Sequence, residues 1–73
     1  MRRDQPRIRR LLAKNVRRLR LARALSQEAL AADAGLHQAL ISEIENEASN
    51  PELDTLGRLA KALGARPRDL FEE

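Results

Sequence analysis

The 73-residue chain contains no cysteine, tryptophan or tyrosine, and it has a single phenylalanine, Phe71, and a single histidine, His37. Without cysteine it can form neither a disulfide framework nor a thiolate zinc site, and nothing in it calls for an oxidising compartment. One histidine cannot build a histidine-rich metal site, so no metal and no cofactor are expected. No apolar run approaches the roughly 20 residues needed to span a bilayer, and the first residues carry charge where a signal peptide would carry an apolar core. A soluble, cytoplasmic protein without membrane association is expected. The near absence of aromatics leaves a hydrophobic fraction made almost wholly of Leu, Ala and Ile, which favours packed helices over strands. The length allows one small core and leaves little room for a deep catalytic cleft.

A second absence is more local. Between Ala24 and Asp54 there is no Lys or Arg, while Glu28, Asp33, Glu43, Glu45, Glu47, Glu52 and Asp54 give that stretch a net charge of −7. Met1 to Arg23 holds ten basic residues against Asp4 alone, and residues 55 to 73 add +1, so the overall +3 conceals a strong asymmetry. The basic first third suits phosphate or an acidic partner, and the acidic middle does not.

Residues 1–9 read as a basic N-terminal arm or helix extension, and residues 10–73 as one folded domain. Met1 to Gln5 lacks periodicity, and Pro6 can open a helix because its missing N–H would be unpaired there. From Ile8, the residues Leu12, Val16 and Leu19 repeat every three or four positions with Leu11 and Ala22 beside them. They predict an amphipathic first helix ending near Arg23 or Ala24. Leu21 falls on the charged side of that helix. Ser26 is suited to cap a second helix, with Glu28 favourable in its first turn, and Gly35 to end it in a left-handed conformation. The second helix would turn Leu30, Ala31 and Ala34 inward. The third would bury Leu40, Ile41 and Ile44 and leave Gln38, Ala39, Ser42, Glu43 and Asn46 outward. Glu47 to Glu52 reads as a loop. A fourth helix begins around Glu52 to Asp54, buries Leu56, Leu59, Ala60 and Leu63, and stops at Gly64; Gly57 inside it suggests close packing. Pro67 opens a last short helix ending at Leu70 and Phe71. The expected fold is all-α, a compact five-helix bundle containing a helix-turn-helix, in which the second short helix of the pair is the reader.

These segments, Leu25-Ser26-Gln27-Glu28-Ala29-Leu30-Ala31, Gly35, Ile41-Ser42-Glu43-Ile44-Glu45-Asn46, Asn50-Pro51, Leu53 and Leu59-Ala60-Lys61-Ala62-Leu63-Gly64, resemble the Cro and lambda-repressor type (XRE-like) helix-turn-helix DNA-binding family. The resemblance covers about residue 10 to Glu73 and implies a lambda-repressor-like domain. Carried over, it assigns phosphate positioning to Gln27 and Asn46, and base reading to His37, Gln38, Ala39, Ser42 and Glu43. Gln38 could bond adenine N6 and N7, Ala39 could touch a thymine methyl, and Glu43 could accept from cytosine N4. Arg10 and Arg17 on the first helix are added as phosphate contacts, because the reading segment has no cation of its own. The resemblance also implies an architectural ion pair between Arg20 and Glu45.

Four positions depart from the family pattern. Glu47 stands where Gly is usual, so another left-handed residue is needed, for which Asn46 is the candidate. Ala24 replaces a common Gly, Leu21 a common basic residue, and Glu43 a common Arg, Lys or Gln. The resulting expectation is a sequence-specific DNA-binding transcriptional regulator, a repressor or controller that binds a palindromic operator as a homodimer through helix three. Leu70 and Phe71 are the candidates for the dimer interface. The alternative is an antitoxin-like or partner-binding module that meets a protein through its acidic face and Leu21. An enzyme is not expected: there is no glycine-rich phosphate loop, and His37 and Ser42 do not form a nucleophilic constellation.

Overall fold

The computed structural model describes residues 4–73. Its elements are α1 (Asp4–Ala22), α2 (Gln27–Ala34), α3 (Gln38–Glu45), α4 (Leu53–Ala62) and a 3-10 turn at Pro67–Phe71. The described residues therefore form four α-helices, not five. Five residues after Arg66 hold only a tightened turn, in which the Asp69 N–H bonds back to the Arg66 carbonyl at 2.9 Å, the i to i+3 pattern that short segments adopt. The Asp69 carboxylate caps it by accepting from the Arg66 N–H at 2.8 Å.

The described part of α1 runs from Asp4 and already includes Pro6. Residues 1–3 of the expected arm lie outside the described residues, and the remainder belongs to α1. The apolar stripe of α1 is shorter than its periodicity suggests. Leu12 and Val16 are buried and Leu19 partly so, but Ile8 is 47% exposed because no element fully covers that turn. Ala13 and the polar residues Asn15 and Arg20 are buried instead.

Leu30 and Ala31 of α2, Ile41 and Ile44 of α3, Leu59 and Ala60 of α4, and Leu63 join Leu12 and Val16 in the core, which Leu70 completes. Leu19, Leu36, Leu40, Leu56 and Phe71 pack around it. α1 lies against both α3 and the 3-10 turn, α2 against α3 and α4, and α4 against the 3-10 turn. The α2–α3 pair is thus held from both sides.

Each α-helix leaves through the same device. Leu25 N–H bonds Arg20 O at 3.0 Å, Leu36 N–H bonds Ala31 O at 2.9 Å, Ala48 N–H bonds Glu43 O at 2.8 Å and Ala65 N–H bonds Ala60 O at 2.8 Å. This six-to-one bond requires a left-handed residue just before the donor. Gly35 and Gly64 supply it at two ends, while Ala24 (φ 56°) and Glu47 (φ 62°) supply it at the other two. The left-handed residue after α3 is therefore Glu47 and not Asn46, whose φ is −96°, because the register of the closing bond selects the position. Gly57 is also not a packing glycine, since a Cβ there would meet nothing within 4 Å.

Candidate nucleic-acid interface

α2 starts cleanly because the Ser26 hydroxyl accepts from the Ala29 N–H at 2.9 Å, which satisfies one of the free first-turn donors. α3 follows His37, its N-cap, whose backbone is extended and whose side chain makes no cap bond. Leu40 and the buried Ile41 and Ile44 face the core, so Gln38, Ala39, Glu43 and Asn46 are exposed or nearly so and Ser42 is half-buried. One short helix face is presented to the outside with neutral and acidic groups upon it.

A chain of hydrogen bonds links this face to α1. Arg20 donates through Nε to Oε2 of Glu45 at 2.7 Å and through Nη2 to Oε1 at 2.9 Å, while its Nη1 donates to the Leu25 carbonyl at 2.9 Å. Gln27 donates from Nε2 to Oε1 of Glu45 at 3.2 Å, and Gln38 donates from Nε2 to Oε1 of Gln27 at 2.9 Å. The Glu45 side chain is only 4% exposed. Burial alone would push its carboxyl up, but the bonds from Arg20 and Gln27 and the charges of Arg20 and Arg17 outweigh that, so it lies below its ordinary value. The bond to Glu45 likewise raises the Arg20 guanidinium, against the opposing effect of burial. A fork-to-fork pair of this kind fixes the angle of α3 on α1.

The arrangement suits base recognition by Gln38. One of its two amide hydrogens is spent on Gln27, leaving the other hydrogen and the carbonyl oxygen, which together match adenine N7 and N6. Gln27, at the first position of α2, also stands where free backbone N–H groups and the helix dipole favour an anion. Asn46 donates from Nδ2 to the Ser42 hydroxyl at 3.4 Å, tying the end of α3 to its outward face. Arg10 and Arg17 are exposed on α1 and line one open groove with Arg7, Lys14, Glu45 and Glu47. Of the two residues expected at a dimer seam, Leu70 is fully buried within the monomer and has no surface to offer a second copy, and Phe71 is half-buried against the core.

Asn15 was not singled out from the sequence. It is 1% exposed, donating from Nδ2 to the carbonyls of Leu70 at 3.1 Å and Glu72 at 2.9 Å. The signal lay in its place in the Leu11, Asn15, Leu19 row, a polar residue among apolar ones at helical spacing. Among the described residues no group of three or more His, Cys, Asp or Glu side chains converges as a metal site, and no helix is long and apolar enough to cross a membrane.

The HTH_3 helix-turn-helix family matches residues 16–70. The chain is 42% identical over 66 residues to control protein C.BamHI of Bacillus amyloliquefaciens, covering 89% of this chain and 82% of that protein. It is 48% identical over 56 residues to control protein C.SmaI of Serratia marcescens, covering 77% and 67%. Its fold is similar to the restriction-modification controller protein C.AhdI from Aeromonas hydrophila, with a TM-score of 0.83 and 36% identity over 86% of this chain and 96% of that one. From the outward face of α3, its buried tie to α1 and these matches together, the chain belongs to the HTH_3 helix-turn-helix family.

Proposed function

We propose that the chain is a sequence-specific DNA-binding transcriptional regulator of the restriction-controller kind, acting through binding rather than catalysis. In this reading a homodimer places each α3 in the major groove of one half-site of a palindromic operator. The observation that carries it is the hydrogen-bonded series Arg20, Glu45, Gln27, Gln38, which holds a bidentate amide at the start of an exposed helix with its adenine-matching atoms free. Gln27 and Asn46 position the backbone, Arg10 and Arg17 add positive field, and His37, Ala39, Ser42 and Glu43 complete the reading face. For the second copy, Leu53, 84% exposed, and the open Gly57 one turn later leave an uncovered stretch of α4 beside the contribution of Phe71.

Selection of bound sequences from random duplexes tests this. The expected result is a palindromic motif with half-site centres roughly 10 bp apart; recovery of no palindrome at moderate salt overturns it. A second reading is favoured by one observation, the 58% exposure of Leu21 in a chain whose reading segment has no cations. It makes the chain a protein-interaction module, and stoichiometric co-purification with a basic partner that is lost on Leu21→Arg would support it.

A further inference from the structure

The solvent face of α1 carries Arg7, Arg10, Lys14, Arg17 and Arg18 within an arc of about 100°, given 3.6 residues per turn. On one flank the cations border the open groove that ends at Glu45 and Glu47. On the other flank stand Glu72 and Glu73. Arg7 is ion-paired with the Glu73 carboxylate, Lys14 Nζ donates to the Glu73 carbonyl at 3.2 Å, and Arg18 Nη2 lies 3.7 Å from Glu72 Oε1. Asn15 secures this segment through main-chain carbonyls and accepts from Arg18 at 3.1 Å. The two carboxylates are thus delivered to the cations by an anchor that does not depend on their charge.

We propose that this ridge extends the backbone contacts of Arg10 and Arg17 to Arg7, Lys14 and Arg18, taking duplex that flanks the segment read by α3, and that Glu72 and Glu73 are its intramolecular competitor, displaced when phosphate arrives. The assignment rests on the DNA reading above. Arg7 to Arg17 spans about 15 Å of helix, against a phosphate about every 3.4 Å of duplex axis on each strand. The four cations over that length step by about 4.5 to 6 Å, wider than the phosphate repeat, so they reach separate phosphates through their long side chains rather than one by one in register. The groove ends at Glu45 of α3 and at Glu47 just after it, which places the ridge next to the reading helix, with the two carboxylates repelling phosphate at that end.

Fluorescence anisotropy with a mixed-sequence 30-bp duplex, titrated over a series of salt concentrations, tests both halves. R10Q/K14Q is expected to flatten the slope of log affinity against log salt by about 2, roughly 0.9 for each phosphate no longer neutralised. E72Q/E73Q is expected to bind roughly threefold or more tightly at low salt, where exposed charges are least screened. Because Asn15 holds main-chain atoms, this second variant keeps the segment in place, and R10Q alone, with a slope change of about 1, covers any unfolding of the first. An unchanged slope in R10Q/K14Q, or unchanged affinity in E72Q/E73Q, overturns the proposal. Labelled polyglutamate is titrated alongside the duplex; if R10Q/K14Q loses binding to it while the duplex slope stays intact, the proposal is overturned and the face is assigned to an acidic protein. Since the duplex carries no selected motif, failure of α3 to choose a sequence leaves this measurement unaffected.

Discussion

Gln27 has two partners, Glu45 on one side and Gln38 on the other, so replacing it disturbs Gln38 as well as any contact of its own. Considered from the sequence, Gln27→Ala should weaken binding to every duplex alike; with Gln38 resting on it, the proposed reading expects the substitution also to relax the base position assigned to Gln38. A double-mutant cycle of Gln27→Ala and Gln38→Ala on a selected site is expected to show a coupling of about 0.5 to 3 kcal/mol, and strict additivity would mean that the two act separately. Glu45 makes a second prediction at this scale. The folded chain holds its proton less tightly than the unfolded chain, so its contribution is fully present above the ordinary value of 4.5. That contribution is lost as pH falls through the lower folded value. Urea melts from pH 7 to pH 3 should therefore show Glu45→Gln less stable at neutral pH, with a shallower decline on the acid side. The Arg20–Glu45 pair could be named from the resemblance, but its extension through Gln27 to Gln38 could not, because spacing along a chain does not state which amides meet between two helices.

The helix ends repeat one closing bond with unequal residues. Gly35 and Gly64 reach the left-handed region freely, whereas Ala24 and Glu47 carry a Cβ into it, at a cost of roughly 1 to 2 kcal/mol each. Ala24→Gly and Glu47→Gly are each expected to stabilise the fold by about 1 kcal/mol, less than the strain because glycine also loosens the unfolded chain. Gly57→Ala, where the added methyl meets open space, should stabilise by up to about 1 kcal/mol. Thermal melts of the three variants decide this, and a loss of stability on Glu47→Gly would show that the left-handed turn is not strained. These ends were only partly legible. Periodicity placed α2, α3 and α4 well because Leu30, Ile41, Ile44 and Leu59 mark a buried stripe. Residue preference pointed to Asn46 for the left-handed turn, while the closing bond from Ala48 to Glu43 set it at Glu47. Ile8 illustrates the same limit: a repeat shows which side of a helix is apolar but not how far the neighbouring elements extend over it.

Across the whole molecule, the unequal charge of the first third and the middle of the chain becomes a spatial arrangement, with cations on the outside of α1 and the acidic stretch in the helices packed behind and beside it. That separation was readable directly from composition. The role of Leu70 was not, since a terminal apolar pair can close a core or meet a second copy, and only the position of the 3-10 turn between α1 and α4 distinguishes these. Truncating this fully buried side chain, Leu70→Ala, is expected to cost about 2 to 5 kcal/mol, a loss that denaturant melts would register. Asn15 and Leu70 meet although they stand 55 positions apart, whereas the α2 and α3 helices are neighbours in sequence. Closing so long a segment carries an entropic cost that nearby contacts avoid. The Asn15 clasp therefore separates two levels of cooperativity: amide exchange at the 3-10 turn should occur by a partial opening that leaves Ile41 and Ile44 protected, and Asn15→Ala should accelerate the first without accelerating the second to the same degree.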